Sequence, residues 1–345
     1  MERPVLSAEA VKAAARDCQF ALVGLAPAEA LDPAPLTSWL AAGYAADMDW
    51  MGRRLDERLD PGVVLPGART VIALAIPYHR PADEPASPIA RYARGRDYHY
   101  AHRDRMKALR KRLLALDPGV ETYAAVDTGV VMEKVWAERA GLGWIGKNGL
   151  LINPRLGSWL TLSVMFVDRA VDAYDRPHDR RCGACALCLQ ACPTEAFAAP
   201  GVVDARRCLS YQSIENRGAV PEPLRAEFRE RLFGCDVCQE VCPWNVRPQV
   251  EGDARFSPRP LAARTPAEIA ALAPEDFERL AAGMAVARAQ YDGLRRNALY
   301  AIGGARERAA RAVVERLCDD PAEVVADAAR WARARLAPEP GDGST

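Results

Sequence analysis

The sequence has no excess of charge of either sign and no long hydrophobic run. Its 345 residues include 46 Lys and Arg against 46 Asp and Glu, so the formal net charge is zero. A protein held on nucleic acid by bulk charge alone would be more basic, so any such binding must come from a local patch. No apolar run reaches the roughly eighteen residues that a membrane-spanning helix needs, which excludes that class.

Targeting and nucleotide-binding signals are absent as well. The first residues lack a basic segment followed by an apolar one, and no twin-arginine leader occurs, so we expect a cytoplasmic protein. No strand is followed by G-x-G-x-x-G and there is no Walker A loop, so a nucleotide cofactor is not supported. Half of the residues are hydrophobic and 27% are charged, which is typical of a globular protein, and the length suggests two or three domains.

Ten cysteines stand out against these absences, and eight of them fall between residues 182 and 242. Cys18 and Cys318 are isolated, and we expect each to be a small buried hydrophobe. Cytosolic thiols stay reduced, so disulfides are not expected. The first four of the eight follow the spacing C-x2-C-x2-C-x3-C-P, the last three follow C-x2-C-x3-C-P, and Cys208 lies between them.

The first run has the bacterial ferredoxin spacing of a [4Fe–4S] cluster. Three thiolates at two-residue spacing bind one cubane, and the fourth, before the proline, binds the other cluster. This rule assigns cluster one to Cys182, Cys185, Cys188 and Cys242, and cluster two to Cys192, Cys208, Cys235 and Cys238. Zinc is the alternative, but zinc ribbons need neither the third closely spaced cysteine nor the Cys-Pro ending. The pattern therefore predicts two [4Fe–4S] clusters in a bacterial ferredoxin-type domain.

The segment before the cysteines has a mixed α/β pattern, and we predict one α/β domain over residues 1–178. Helical segments separate four predicted strands, for which a doubly wound sheet is the commonest arrangement. These strands cover residues 20–25, 70–76, 122–126 and 159–167.

Two further segments complete the predicted organisation. Residues 179–249 form the cluster domain, in which bound metal does much of the folding. Residues 250–345 combine a Pro- and Arg-rich linker, which runs from about 247 to 266, with Ala- and Arg-rich helices. The paired helices resemble one HEAT-type repeat.

A candidate site lies at Asp127, which follows the third predicted strand in the segment Val126-Asp127-Thr128-Gly129. Sites on α/β sheets are usually built at strand ends. Downstream, four glycines within residues 141–149 would let the backbone approach a large flat ligand. Asp127 is either a helix N-cap or a carboxylic acid whose pKa is raised by burial, so that it donates a proton near neutral pH.

Basic and aromatic side chains leave further alternatives open. The amphipathic helix expected over residues 102–116 has a basic face that is either solvated or contacts phosphates. The same two interpretations apply to Arg288, Arg295 and Arg296 in the C-terminal helices. Trp244, just after the last cluster cysteine, either stacks on a base or packs over the cluster.

Several of these segments together resemble epoxyqueuosine reductases. The resemblance rests on Asp127-Thr128-Gly129, on Glu133-Lys134 and on the sequence AERAGLGWIGKNG over residues 137–149. The order of the two cysteine groups fits as well, as do residues 56–58, 65–68, 97–99 and 208–211. It covers about residues 1–250 and is weaker beyond, where residues 294–298 and 301–303 resemble a helical tail that is short here.

The resemblance implies a cobalamin-dependent enzyme with two clusters. Such an enzyme performs the last step of queuosine synthesis, in which the epoxide oxygen of epoxyqueuosine is removed at the wobble position of a tRNA anticodon. It also implies a nitroreductase-like α/β fold for the cobalamin-binding domain, related to that of respiratory reductive dehalogenases. The family binds cobalamin without a histidine below the cobalt, and the sequence indeed has no Asp-x-His-x-x-Gly motif.

The resemblance also implies roles for particular residues. Asp127 becomes the proton donor over the corrin. Corrin or tail contacts are expected from Arg58, Lys147, Asn148, Leu151, Ser158 and Ser210, and tRNA contacts from Arg217, Arg295 and Arg296. The implied partners are tRNA and a low-potential electron donor, and we expect a monomer. The alternatives are a soluble reductive dehalogenase-like enzyme and an electron carrier, although a carrier leaves the N-terminal domain unexplained.

Overall fold

The structure is a computed structural model that describes residues 4–80, 87–246 and 253–337. Its strands are β1 (Leu22–Pro27), β2 (Thr70–Pro77), β3 (Thr122–Ala125), β4 (Trp144–Ile145), β5 (Leu151–Ile152), β6 (Leu160–Val167), β7 (Phe197–Ala199) and β8 (Val202–Val203). The helices before the cysteine segment are α1 (Ala8–Asp17), α2 (Ala34–Ala41), α3 (Leu55–Leu59), α4 (Pro61–Val64), α5 (Tyr98–Leu116) and α6 (Glu133–Arg139).

The remaining helices belong to the cysteine segment and the C-terminal region. Within the first are α7 (Leu187–Gln190), α8 (Leu209–Ile214), α9 (Glu222–Arg225) and α10 (Val237–Glu240). The second contains α11 (Pro266–Ala270), α12 (Pro274–Ala281), α13 (Tyr291–Ala305), α14 (Arg311–Arg316) and α15 (Glu323–Leu336). No helix in the described ranges is both long and apolar enough to cross a membrane.

The main sheet has four strands in the order β1-β2-β6-β3, and every neighbouring pair is antiparallel. The four strands predicted from the sequence are therefore present within two residues of their expected bounds, but the doubly wound arrangement is wrong. A doubly wound sheet needs parallel strands joined by helical crossovers, and here the chain returns in the opposite direction at each pairing.

Strand β2 is covered by helices on both faces of the sheet. All eight of its residues are buried. Ile72, Leu74 and Ile76 pack with α1 and α5 on one face, whereas Ala73 and Ala75 pack with α6 on the other. Side chains alternate between the two faces of a strand, so a strand covered on both reads as a continuous apolar run.

The end of helix α6 lies very close to β1. A Cβ added at Gly24 in β1 would lie 1.9 Å from the carbonyl oxygen of Ala140 at the end of α6. Only glycine allows that approach. The loop between β3 and α6, which carries Asp127, packs its Val131 against Val71 and Phe166 of the sheet.

One hydrophobic core runs through both the cysteine segment and the C-terminal helices. It joins Ile89 and Phe233 to Leu209, to Leu294 of α13 and to Val325 of α15. The predicted boundaries at 178 and 249 therefore cross a shared core, and the second of them lies outside the described residues. The division into three domains stays a prediction.

The expected linker is packed in its described part. Residues 254–256 and 260–263 form short 3-10 helices, and Phe256 and Leu261 are buried. Asp253 forms an ion pair with Arg105 of α5. The Pro- and Arg-rich composition suggested a linker, but Phe256 packs in the core of the N-terminal domain and Leu261 in the core shared with the C-terminal helices. Residues 247–252 lie outside the described part.

Candidate active site and cluster ligands

The eight clustered cysteines come together as two groups of four. Electrostatic interactions join Cys242 to the first run and join the other four thiols to one another. Cys188 and Cys238 also interact, so the two groups are neighbours. The groups are Cys182, Cys185, Cys188 and Cys242, and Cys192, Cys208, Cys235 and Cys238. This crossed grouping supports the ligand assignment that the ferredoxin spacing predicts.

The donor set fits cubane clusters. In the described ranges, no three His, Cys, Asp or Glu side chains are close enough to share one metal ion. The thiolates of a cubane bind different iron atoms and are therefore spaced more widely than the ligands of a single ion. Burial raises the pKa of Cys208 and Cys238 and raises that of Cys235 to about 11. Metal binding must therefore displace protons from these thiols.

Aromatic and basic side chains enclose the first group of thiols. The indole nitrogen of Trp144 lies 3.5 Å from the Sγ of Cys182, and the rings of Trp144 and Trp244 meet edge to face at 4.9 Å. Trp244 therefore packs beside the cysteines, the second of the two interpretations given above. Lys147 donates hydrogen bonds from Nζ to the carbonyls of Gly183 (2.7 Å) and Cys185 (2.9 Å). Its side chain therefore holds the cysteine loop, and its predicted corrin contact stays a prediction.

Asp127 occupies a tight turn between β3 and α6. The N–H of Thr128 donates to the carbonyl of Val126 at 2.6 Å, and Asp127 itself has a φ of 54°. Its own N–H donates to Oε1 of Glu133 at 2.7 Å. The carboxylate is 61% exposed, so Asp127 presents its acid group to solvent, and the N-cap of α6 is Met132 instead.

His99 lies next to this carboxylate and was missed by the sequence analysis. Its Nδ1 is 2.7 Å from Oδ1 of Asp97, the N-cap of α5, and its Nε2 is 3.4 Å from Oδ2 of Asp127. The second distance is that of an ion pair, slightly long for a well-formed hydrogen bond. Residues 97–99 belonged to the resemblance, and a histidine two residues after an aspartate N-cap was the available signal.

The groups around Asp127 lower its pKa, whereas the sequence analysis allowed for a raised one. Burial alone would raise its pKa, but the neighbouring His99 and the Tyr98 hydroxyl outweigh burial and lower it. Burial likewise opposes the protonation of His99, yet Asp127 and Asp97 raise its pKa to about 9. At neutral pH the proton of the pair is therefore on His99, and Asp127 is ionised.

His102 shows that the same helix also carries a histidine with a purely structural role. It is fully buried, with Nδ1 2.7 Å from the hydroxyl of Ser163 and Nε2 2.9 Å from that of Thr161. Burial lowers its pKa to about 3, so it stays neutral. The contrast with His99, one turn earlier on α5, comes from the two carboxylates that only His99 faces.

Glu133 and Lys134 extend the site at the start of α6. Burial raises the pKa of Glu133 to about 7 and lowers that of Lys134. Lys134 donates from Nζ to the carbonyl of Gly149 at 2.9 Å. Arg58, which was predicted to contact the cofactor, is near enough to Glu133 to interact with its charge. Its guanidinium also donates to the carbonyls of Trp50 and Arg53.

Three other predicted cofactor contacts lie beside the second cysteine group. Asn148 is buried and places Nδ2 3.5 Å from the carbonyl of Cys238. Ser158 is buried, and its hydroxyl accepts hydrogen bonds from Gln239 (3.1 Å) and Asn245 (2.9 Å). The Ser210 hydroxyl lies next to the thiol of Cys208. Leu151 packs its side chain into the core on the α6 face of the sheet, and its predicted cofactor contact stays a prediction.

The glycine-rich stretch serves packing more than ligand approach. A Cβ at Gly141 would lie 2.6 Å from the carbonyl oxygen of Arg176, and one at Gly143 would lie 2.1 Å from that of Ile152. At Gly146 it would meet the Ile152 side chain at 2.4 Å, and only at Gly149 are the nearest atoms at ordinary distances. The expectation that all four glycines make room for a flat ligand is therefore wrong, because three of them make room for the protein's own backbone and core.

Two of the three arginines predicted to contact tRNA are inside the protein. Arg296 is fully buried and donates to the carbonyls of Gln212, Asn216 and Gly218. Arg295 is 7% exposed and pairs with Asp320. We therefore replace the predicted tRNA contact of both residues with a structural role. In the sequence, the two arginines could belong to the basic face of a helix. A guanidinium that donates hydrogen bonds to several carbonyls can, however, be buried together with those carbonyls.

Arg217 does lie on the surface. It is exposed, and Nη1 donates only to the carbonyl of Ile214. It is near enough to Arg288 for their charges to interact, and Arg288 forms an exposed ion pair with Glu215. Arg288 in turn interacts with Asp127. These two arginines therefore lie on the surface near Asp127.

An α/β domain next to eight cysteines in two groups of four defines an iron–sulfur redox protein. Two parts of the chain match family models. Residues 181–245 match the "4Fe-4S double cluster binding domain", and residues 58–128 match "Epoxyqueuosine reductase QueG, DUF1730". The curated epoxyqueuosine reductase of Gloeobacter violaceus is 44% identical over 318 residues, which cover 89% of this chain and 99% of that protein. The chain belongs to the epoxyqueuosine reductase family.

Solved structures agree over most of the chain. A crystal structure of an epoxyqueuosine reductase with an epoxyqueuosine-modified tRNA-Tyr stem loop has a TM-score of 0.88 at 27% identity, covering 96% of this chain and 90% of that one. The enzyme from Bacillus subtilis, with its catalytic aspartate loop swung out of the active site, has a TM-score of 0.87 at 26% identity with the same coverage.

The buried position of Arg296 predicts a stability role. Replacement by leucine (Arg296→Leu) leaves three buried carbonyls without a donor, and we expect the free energy of unfolding to fall by about 3 kcal/mol or more. Urea denaturation measures the loss. Arg333→Leu, at an exposed position of α15, is the matched control and should change stability little; equal stability of the two variants would contradict the assignment.

Proposed function

We propose that this chain reduces epoxyqueuosine to queuosine at the wobble position of a tRNA anticodon. The observation that carries the proposal is the exposed Asp127 carboxylate, paired with the proton-bearing His99 in a chain whose cysteines form two groups of four. Reduction of an epoxide to a double bond consumes two electrons and two protons and releases water. The two clusters can deliver the electrons, and the acid pair a proton.

We propose cobalamin as the group between the clusters and the substrate. When bound, it supplies a low-potential cobalt that passes electrons to the epoxide. Arg58, Asn148, Ser158 and Ser210 would hold it. These polar residues lie beside Glu133 and the second cysteine group, and this distribution supports the assignment. Asp127 would face the bound substrate from the opposite loop.

In this proposal the Asp127–His99 pair moves the proton. His99 holds it at Nε2, since its pKa is about 9, and the exposed Asp127 relays it to the departing oxygen. Asp127 is the group that reaches the substrate, because His99 is mostly covered. Tyr98 and Asp97 keep the pair in orientation. Deprotonation of His99 removes the proton store, so turnover should fall as the pH rises through about 9.

The substitution Asp127→Asn tests this role. We expect it to abolish turnover while iron content and cobalamin binding stay unchanged. Because the nearby negative charge is removed, the pKa of His99 should also fall, which NMR titration of its imidazole in the cluster-free and cluster-bound protein can follow.

Asp168→Asn is a matched control, because Asp168 is an aspartate of the same domain that forms an ion pair with Arg169. It should leave the pKa of His99 unchanged. A fully active Asp127→Asn enzyme would remove the proton-donor role, and an unchanged His99 pKa would show that the two groups are not coupled.

We propose that Arg217 and Arg288 contact the phosphates of the anticodon loop. Both are exposed, and they lie near Asp127, whereas the buried arginines of α13 cannot reach a ligand. A modified base that reaches Asp127 would bring its neighbouring phosphates close to these two arginines.

Charge reversal of Arg217 (Arg217→Glu) should weaken tRNA binding about tenfold and reduce the slope of log Kd against log salt by about one. Filter binding over a range of salt concentrations measures both quantities. Arg333→Glu, a reversal of the same kind on α15, should change neither. If the two variants bind tRNA equally well, Arg217 does not contact tRNA.

We propose that the electron donor docks at the first cysteine group. Cys185 is exposed. Around it, Arg180 (74% exposed side chain) and Arg181 supply positive charge, and Leu187 (47% exposed) supplies an apolar contact. An electron carrier has to approach a cluster closely, and this is the side on which the ligands reach the surface. The positive charge favours an acidic low-potential carrier.

Reversal of both charges (Arg180→Glu with Arg181→Glu) should raise the KM for a reduced acidic ferredoxin about tenfold at low salt, with a smaller effect at high salt. Cluster reduction by dithionite should be unaffected. The matched control is Lys107→Glu with Lys111→Glu on the exposed face of α5. Weaker tRNA binding by the Arg180/Arg181 variant, with donor kinetics unchanged, would assign these arginines to tRNA instead.

The finer architecture completes the proposal. We propose a nitroreductase-like fold for residues 1–178, a ferredoxin-type domain over residues 179–249 and a HEAT-like helical region over residues 250–345. The packing of α13 against α15 supports the last of these. A monomer in the cytoplasm remains our expectation.

A further inference from the structure

The turn at Asp127 holds an ordinary residue in a backbone conformation that L-amino acids rarely adopt. Its φ is 54°, and the hydrogen bond from Thr128 N–H to Val126 C=O closes a three-residue turn around it. Turns of this kind with positive φ are rare and strained. Strained residues persist where surrounding contacts determine them, and they concentrate at functional sites.

The buried flanks of the turn confine any movement to its tip. Val126, Val130 and Val131 are buried, whereas Asp127 and Thr128 are exposed. The chain also folds back tightly, since a Cβ at Gly129 would lie 2.6 Å from the Cβ of Ala125. The ends of the loop are therefore fixed by packing, and polar contacts decide the conformation of the tip.

One of those polar contacts acts on the backbone. Glu133 accepts the N–H of Asp127 at 2.7 Å, and this is the main-chain group whose direction the positive φ sets. Glu133 begins α6, whose Trp136 and Ala137 are buried against the sheet, so the acceptor sits on a rigid element.

We propose that Glu133 is a positioning residue that holds the strained turn at Asp127, so that the aspartate carboxylate stays beside His99. The inference rests on the proposed role of Asp127. Without the acceptor, the Asp127 N–H loses its partner, the turn relaxes toward negative φ, and the carboxylate moves away from the imidazole. Glu133 thus acts on the reaction through Asp127 and does not itself reach the substrate.

Two substitutions separate the hydrogen bond from the charge. Glu133→Asp keeps the charge but shortens the side chain by one methylene, so that it no longer reaches the Asp127 N–H. Glu133→Gln keeps the length and an acceptor oxygen but removes the charge. Glu138→Asp is the matched control, because Glu138 lies on the same helix and accepts a different backbone N–H, that of Ile145 at 2.8 Å.

Hydrogen exchange of the holoenzyme, followed by mass spectrometry over residues 126–131, measures the turn directly. We expect Glu133→Asp to speed exchange there about tenfold or more, and Glu133→Gln to stay close to wild type. In Glu133→Asp, kcat should fall about tenfold with the KM for tRNA nearly unchanged, since binding does not use Glu133. The pKa of His99 should fall in the same variant.

The outcomes distinguish the two proposals. Unchanged exchange in Glu133→Asp would overturn the positioning role whatever the activity. Faster exchange in Glu133→Gln than in Glu133→Asp would also overturn it, because the turn would then depend on the charge of the Glu133 side chain and not on its length. Faster exchange in Glu138→Asp over the same residues would mean that α6 as a whole had loosened, and would also overturn it. If Asp127→Asn were active while Glu133→Asp loosened the turn, the catalytic proposal would fail and the structural one would stand.

Discussion

The grouping of Cys242 with the three cysteines of the first run sixty residues earlier constrains the rest of the structure. The segment has to close on itself for these thiols to meet, and the second group must then form from the cysteines that remain. Trp144 and Lys147 of the N-terminal domain pack on the first group, and Asn148 and Ser158 lie beside the second. The cysteine segment is therefore docked on the α/β domain at the place where the candidate cofactor contacts lie.

The docking also uses charge. Asp236, between two ligands of the second group, accepts the backbone N–H of Arg91 at 2.8 Å, and Arg91 forms a further ion pair with Glu240 at 2.6 Å. These contacts tie the second group to the segment that precedes α5, the helix that carries His99. Metal ligation and acid–base chemistry thus share one rigid framework, which fits an enzyme that must combine electrons and a proton at a single substrate.

The acid pair shows how local electrostatics reverse an expectation drawn from composition. A carboxylate at a strand end is expected to gain a raised pKa if a ligand covers it, but in this structure the neighbouring imidazole stores the proton. His99 and His102 are three residues apart on one helix, and their pKa values lie on opposite sides of neutrality because one faces two carboxylates and the other two hydroxyls. The sequence places Asp97 near His99, but it does not show that Asp127 faces His99 or that Ser163 and Thr161 face His102.

The sequence by itself determined the features that depend on spacing and local periodicity: the four main strands, the two cysteine runs, and Asp127 at a strand end. Ligand spacing is a local property because one short loop must wrap one cubane, and strand periodicity is local because side chains alternate. Only the tertiary structure decided the antiparallel sheet, the burial of Arg295 and Arg296, the packing role of the glycines and the partnership of Asp127 with His99 and Glu133. Those features depend on which distant groups meet, and the energy of a buried charge or a strained turn is set by the partners that the fold brings to it.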